Sequence, residues 1–446
     1  MNVKVLLLVA SLAFATTAFG LRPTTKANDD SCDIALLPAA TLLLPYFEVD
    51  FSPSVRETTL FSITNVTNLA RIARVTLWTD YSYPVFSFNV YLTGYDVQSI
   101  NLFDIIGDGT IGNGGGSGSS ISHQGSFSDP NAAIEGCANV SASIPAASVT
   151  RMQEAFTTGV TGAAGCNNVG GVHENAVGYV TIDVVGNCST AMPTDPEYFT
   201  NDIRYDNVLI GDYQHVSNSI QTDAQVNPMV HIRAVPEGGT PASRLADPGQ
   251  FANRFAHTFY GRFQATATPT ADARQPLPSR FAVRWINGGA GGFGTSFKIW
   301  RQSVTGTDDC DTIEDNGIIE LAESVMFDEN ENGEANLNPI CDFLCIGPTI
   351  FLPTTSRMPI DPGSEVFPQK IVTTTVAGWL YLNLDDHNQE NGAHQNWVVV
   401  SMYAENRYSG DMDGTALGNG CSPPLDLSEA SLGGTVIIGP STDGQP

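Results

Sequence analysis

The clearest pattern in the chain is an alternation of apolar and polar residues over Thr58–Leu102, TTLFSITNVTNLARIARVTLWTDYSYPVFSFNVYLTGYDVQSINL. Phe61 and Ile63 alternate with Ser62 and Thr64. Ala73, Val75 and Leu77 alternate with Arg74 and Thr76, and Phe86, Phe88, Val90 and Leu92 with Ser87, Asn89 and Tyr91. A period of two sends successive side chains to opposite faces, so three β-strands are predicted, one face buried and the other in solvent or against a second layer. The breaks fall at NVTN and DYSYP, where Asn, Asp and Pro supply turn chemistry.

The same alternation returns at Gly178–Val185, Met229–Val235 and Trp397–Glu405. In the second of these, His231 and Arg233 are expected on an exposed face, as decoration rather than chemistry. The run DIALLPAATLLLPYFEVDF is apolar but cut by Pro38 and Pro45. Proline breaks a helix interior and is tolerated at strand edges, so short extended pieces are expected there. A short helix is expected over Thr150–Phe156, with Thr150 as N-cap and Gln153 three residues on. Gly107–Ser126 is rich in Gly and Ser and reads as a flexible loop; it lacks the GK[ST] ending of a phosphate-binding loop.

There is also an internal echo. Asn65 and Trp78 are 13 residues apart, as are Asn287 and Trp300, and both pairs are offset by 222. LFSITN then faces AVRWIN and VTLW faces FKIW. A second echo sets GYVTIDV at 178 against GWLYLNL at 378. The expected fold is therefore mainly β: two antiparallel β-sandwich-like domains with long loops and few short helices. A first domain over 21–265 carries the loop 107–126. A linker at 266–280, rich in Pro, Thr and Ala, leads to a second domain over 281–425 and a flexible tail, 426–446.

Composition narrows the setting. Residues 1–20 have a positive start at Lys4, an apolar run from Val5 to Phe14 and a small-x-small site at Ala18-Phe19-Gly20, the pattern of a secretory signal peptide. The eight cysteines lie outside it, four in each half, and read as disulfides formed in an oxidising compartment, paired within halves. Cys341 and Cys345 have neither CxxC spacing nor a nearby His for a metal or redox role. The net charge of −27 repels phosphate backbones and anionic lipid. No nucleic-acid partner is expected, and no membrane insertion after signal removal.

The most site-like stretch runs from Asp308 to Asn336. Within it Asp328, Asn330, Asn332 and Glu334 place oxygens at alternate positions around Gly333, a partial calcium-loop pattern. Position twelve is Pro339 rather than a bidentate Glu, so an EF-hand is not expected. A plain solvated acidic loop is the favoured reading, and a calcium-stabilised loop, with Asp311 and Asp315 as further candidate ligands, is the competing one. His387 and His394 lie close in another loop and fit an exposed hairpin tip better than a metal site. No GxSxG or HExxH motif is present. Two carboxylates for glycoside hydrolysis have no sequence spacing to search for.

The run LLPYFEVDF, TTLFSITN, ARVTLWTDYSYPVFSFNVYLTGYDVQSINL resembles a set of exported bacterial proteins that carry no functional description. GYVTIDVV, VLIGDYQHV and MVHIRAV resemble later portions of the same set. The resemblance implies a bacterial source and an extracellular or envelope location, and brings no substrate or catalytic residue. The leading expectation is a non-catalytic exported protein, structural or adhesive, with an extracellular or cell-surface ligand. The alternatives are a secreted hydrolase acting on carbohydrate, or a carbohydrate-binding protein using Trp78, Trp300 or Trp397 as stacking platforms.

Overall fold

The computed structural model describes residues 34, 36–52, 57–111, 143–162, 166–189, 191–217, 223–234, 237–238, 255–256, 271–302, 319–320, 323–330, 332–337, 351–360, 375–384, 395–404, 408–417, 431–432 and 435–436. The signal sequence, most of the Gly/Ser-rich loop, Asp311, Asp315, His387, His394 and six of the cysteines lie outside the described residues. Cys166 and Cys188, which lie inside them, are each disulfide-bonded.

The fold is mainly antiparallel β. The first half contributes β1 (Thr41–Val49), β2 (Glu57–Asn65), β3 (Arg71–Thr79), β4 (Pro84–Leu92), β5 (Val97–Asn101), β6 (Ala176–Val185), β7 (Leu209–Ser217), β8 (Asp223–Pro228) and β9 (Val230–Ile232). They form one sheet in the order β4-β3-β6-β1-β9 and another in the order β5-β2-β7-β8. The second half contributes β10 (Arg280–Ile286), β11 (Phe293–Arg301), β12 (Glu323–Asp328), β13 (Gly333–Leu337), β14 (Thr355–Pro359), β15 (Ala377–Asn383), β16 (Asn396–Ala404), β17 (Tyr408–Asp413) and β18 (Thr415–Ala416). Its sheets run β13-β12-β15-β10-β18 and β14-β11-β16-β17.

The echo built on Asn65 and Trp78 corresponds to a shared topology. β4-β3-β6 matches β14-β11-β16, and β5-β2-β7 matches β15-β10-β18. Trp78 sits opposite Tyr179, and Trp300 opposite Trp397. The Asn65 N–H donates to the Asp96 carbonyl at 2.9 Å, just before β5, and the Asn287 N–H to the Val376 carbonyl at 2.6 Å, just before β15. The second echo does not share this equivalence. β6 borders the Trp78 strand, whereas β15 borders the Asn287 side of its half. Gly178 and Gly378 share a local need instead: a Cβ at either would collide with a neighbouring strand's carbonyl, that of Trp78 or of Phe327.

Among the described residues two α-helices flank the first half, α1 (Leu102–Ile106) and α2 (Ala146–Thr158), and a five-residue π-helical turn spans Tyr198–Asp202. α2 begins four residues before the expected N-cap. Thr150 lies inside it and its hydroxyl donates to the Ala146 carbonyl, while Gln153 reaches the Ile106 carbonyl at 2.9 Å. The expected capping box is unused because Pro145 opens the helix. In β1 the register shifts between Leu44 and Phe47, around Pro45, which has no N–H to give to a ladder.

One core fills the first sandwich, built from residues such as Leu42, Phe47, Ile63, Val75, Leu77 and Val180. A second is continuous across both halves, running from Leu43, Trp78 and Tyr179 to Phe281, Phe297, Trp300 and Val399. Every residue of β6 is buried, so its second face meets another protein layer rather than water. Tyr179 meets Trp300 edge-on across this seam at 5.8 Å between centroids. The Ser82 hydroxyl donates to Thr354 at 2.9 Å and the Thr355 hydroxyl to the Pro45 carbonyl at 2.6 Å.

The segment expected as a linker joins the halves but is packed along 271–280. Ala273 and Leu277 are buried, and Arg274 pairs with Asp183 at 3.3 Å. It shows no apolar period because it forms mostly irregular chain against the seam.

Candidate functional site

The chemistry-bearing side chains of the two halves meet at one end of the seam. In β1, Phe47 and Val49 face the first core, which turns Tyr46 and Glu48 the other way. In β2, Glu57 pairs with Ser217 of β7 and Thr59 with His215, placing all four on one face. Lys298 on β11, Arg357 on β14 and Ser401 on β16 close the space from the second half. The result is a partly open cavity of about 30 Å³.

Glu48 and Glu57 lie close enough for each to act on the other's ionisation. Asn175 donates its amide to both, at 2.8 Å to Glu48 and 3.3 Å to Glu57. Glu48 also receives the Tyr46 hydroxyl at 2.8 Å and lies 3.5 Å from the Arg357 guanidinium. Burial opposes ionisation of Glu48, but the Asn175, Arg357 and Tyr46 groups outweigh it and hold its pKa below the usual carboxylate value. Glu57 goes the other way. Burial and the adjacent Glu48 charge push it up to about 7, so the pair shares a proton near neutrality.

His215 is the third member. Only a margin of the residue reaches solvent, and its Nε2 is sealed with no partner. Burial, then the nearby Lys298 and Arg357 charges, drive its pKa well below 6.5, so the ring is neutral. Its Nδ1 lies 3.0 Å from the Thr59 hydroxyl, which is also 3.2 Å from both the N–H and the carbonyl of Glu48. Thr59 has one proton, and donating it to the Glu48 carbonyl leaves Nδ1–H as the donor to Thr59. The Nε2 lone pair is then left without a partner, sealed from solvent. An unmet buried acceptor of this kind costs about 1–3 kcal/mol. Lys298 is 2.7 Å from Asp411, which also accepts from the Ser401 hydroxyl.

The sequence-derived candidates are placed differently. Asp328, Asn330 and Asn332 come together in the turn between β12 and β13, where Asp328 Oδ1 accepts from the N–H groups of Asn330 and Asn332, both at 2.8 Å. Oδ2 accepts the Asn332 amide, also at 2.8 Å. The Asn332 amide, with the two backbone donors, holds the Asp328 carboxyl below its usual pKa. These bonds close a turn. Glu334 lies opposite Met326 in the ladder. Among the described residues no group of three or more His, Cys, Asp or Glu side chains is placed to hold a metal ion.

The expected sugar platforms are absent from the surface: Trp78 and Trp300 are wholly buried and Trp397 is 7% exposed. Their rings fill the continuous core, where an aromatic contributes most by burial. His231 is also buried, with its ring nitrogens near the Leu37 and Gly211 carbonyls at 3.0 and 3.2 Å, because β9 is covered by the segment before β1 and by β7.

Sequence reading missed the seam pocket. Its signal was a charged residue inside an apolar strand: Glu48 in LLLPYFEVDF and Lys298 in SFKIW, a residue type that occurs at only four positions in the chain. Comparison with known proteins finds no matching family model, no matching curated protein and no matching solved structure. Fold and pocket together define a double antiparallel β-sandwich-like protein with a polar cavity at the seam.

Proposed function

We propose that the protein is a non-catalytic exported component of the extracellular space or cell envelope, structural or adhesive. The observation that carries this reading is the size of the seam pocket. At about 30 Å³ it has room for about two waters, not for a sugar ring or a peptide. A continuous core through both sandwiches suits a rigid load-bearing or presenting body. The disulfide-bonded Cys166 and Cys188 suit an oxidising compartment. Calcium is not required by this reading, since the Asp328 turn is closed by its own donors.

A second reading, an acid-base hydrolase, draws on the proton shared by Glu48 and Glu57, an arrangement also used to activate water. One experiment separates the two. The full-length protein and its Glu57→Gln variant are assayed on polysaccharide, peptide and ester panels, and the native host is fractionated. The expected result is no turnover and recovery in the envelope or medium. Turnover lost in Glu57→Gln would replace the structural reading with the hydrolytic one, and cytoplasmic recovery would overturn the export.

A further inference from the structure

We propose that Lys298 and Asp411 are joined by an intramolecular amide bond, a covalent crosslink tying β11 to β17 across the strand between them. The inference does not rest on the structural reading of the protein and is tested apart from it.

The geometry is that of two reactants held together. β16 lies between β11 and β17, with Lys298 opposite Val399 and Asp411 opposite Ser401. Both side chains therefore rise from one face of this sheet, and Nζ reaches Asp411 Oδ2 at 2.7 Å. Those side chains are 4% and 0% exposed. An amine and a carboxyl fixed at contact react as one molecule, at effective concentrations that reach about 10⁵–10⁸ M in well-oriented cases. Kept as ions, a buried pair bears a desolvation cost that amide formation removes along with both charges. Lysine is rare here, found at four positions in the chain, and unlike arginine it offers a nucleophilic amine. The Arg74–Asp202 pair is as short and as deeply buried, but its guanidinium does not condense and it stays an ion pair. In the first half the equivalent of Lys298 is Thr76, two residues before Trp78 as Lys298 is before Trp300, so no amine stands at that place.

The reaction balances without a co-reactant. The Lys298 ammonium gives a proton to Asp411 Oδ2, leaving a neutral amine and a neutral acid. Nζ then attacks Cγ and forms the C–N bond. The Ser401 hydroxyl, which donates to Asp411 Oδ1, stabilises the negative charge that gathers there in the tetrahedral adduct. The C–Oδ2 bond breaks, and that oxygen leaves as water with its own proton and one from nitrogen. Lys298 and Ser401 line the partly open cavity of about 30 Å³, which gives one water a way out. The bond closes a covalent ring between residues 113 apart in the chain.

The test is intact-mass spectrometry of the full-length protein with disulfides reduced, followed by tryptic mapping under denaturing conditions. The expected mass is one water below that of the sequence from its observed N-terminus. The map should show no cleavage after Lys298 and one branched peptide joining Lys298 to Asp411. Lys298→Arg keeps the charge but removes the amine, and should restore the full mass. Asp411→Ala should do the same. If neither variant folds, the branched peptide in the unaltered protein still decides. A full mass with cleavage after Lys298 would overturn the proposal, as would a lost water mapped to any other pair of residues.

Discussion

Two buried charged clusters lie in the first half of this protein, and they are finished differently. Around Arg74, every donor has a partner. Nε bonds Asn89, Nη1 bonds Asp202 and the Ala191 carbonyl, and Nη2 bonds the carbonyls of Asn187 and Ser189. Asp202 is in turn satisfied by Asn187 and Ser189. Around Glu57, burial and the Glu48 charge keep a proton on the carboxyl, and the His215 Nε2 has no partner. The first cluster fixes chain: it ties the 187–202 segment to β3. The second leaves chemistry unused beside a cavity. Saturation separates a structural polar network from a candidate site, because a buried polar group without a partner costs free energy that only a ligand or another role offsets.

The largest test of this contrast is Arg74→Ala. It strands Asp202, which is almost fully buried, and should destabilise the protein by about 3–5 kcal/mol in urea denaturation. Replacing both partners, as Arg74→Met with Asp202→Leu, should recover part of the loss because no lone charge remains. A neutral Arg74→Ala would mean that the saturated network is not structural, and the contrast would fall.

The pocket predicts a smaller effect, one that depends on pH. The folded state keeps a proton on Glu57 that the unfolded chain releases near pH 4.5. The stabilisation from that proton is full below about 4.5 and is lost as pH rises to about 7. His215 acts with the opposite sign. Its folded pKa is depressed, so its contribution is present above 6.5 and lost as pH falls below that value. The two oppose each other between about 4.5 and 6.5. Glu57→Gln removes one of them, so the variant's stability relative to the unaltered protein should climb from about pH 4.5 to 7 and then level. Urea midpoints across that range give the curve, and parallel profiles for the two proteins would show that Glu57 holds no extra proton.

How much of this was legible in the sequence follows from the range of each interaction. Alternation from Phe61 to Leu92 placed β2, β3 and β4 correctly because the signal is local and repeated. The Asn65–Trp78 spacing found a real topological equivalence, since both residues sit at fixed places in paired strands. The Gly178–Gly378 echo misled because close strand approach demands glycine wherever it occurs. Arg74 and Thr76 read as one polar face, and sequence alone could not decide whether water or a second layer met it. The pocket was invisible for a plainer reason. Glu48, Glu57, His215, Lys298 and Arg357 lie on five strands, and each alone reads as an isolated charge or ring.

The acidic turn gives the smallest expected effect and the sharpest check on saturation as a criterion. Asp328 resembles Arg74, since both of its oxygens already accept from the turn. Calcium would have to compete with those donors and would gain few further ligands nearby. The thermal midpoint should therefore be the same in millimolar calcium and in EDTA. Asp328→Ala should lower it slightly under both conditions and speed amide exchange at Asn330 and Asn332. A rise of several degrees with calcium, abolished in Asp328→Ala, would correspond to a ligand present at about a hundredfold excess over its Kd and worth about 2.7 kcal/mol. In that case a carboxylate with every partner in place would still bind an ion, and saturation would no longer distinguish framework from site in this protein.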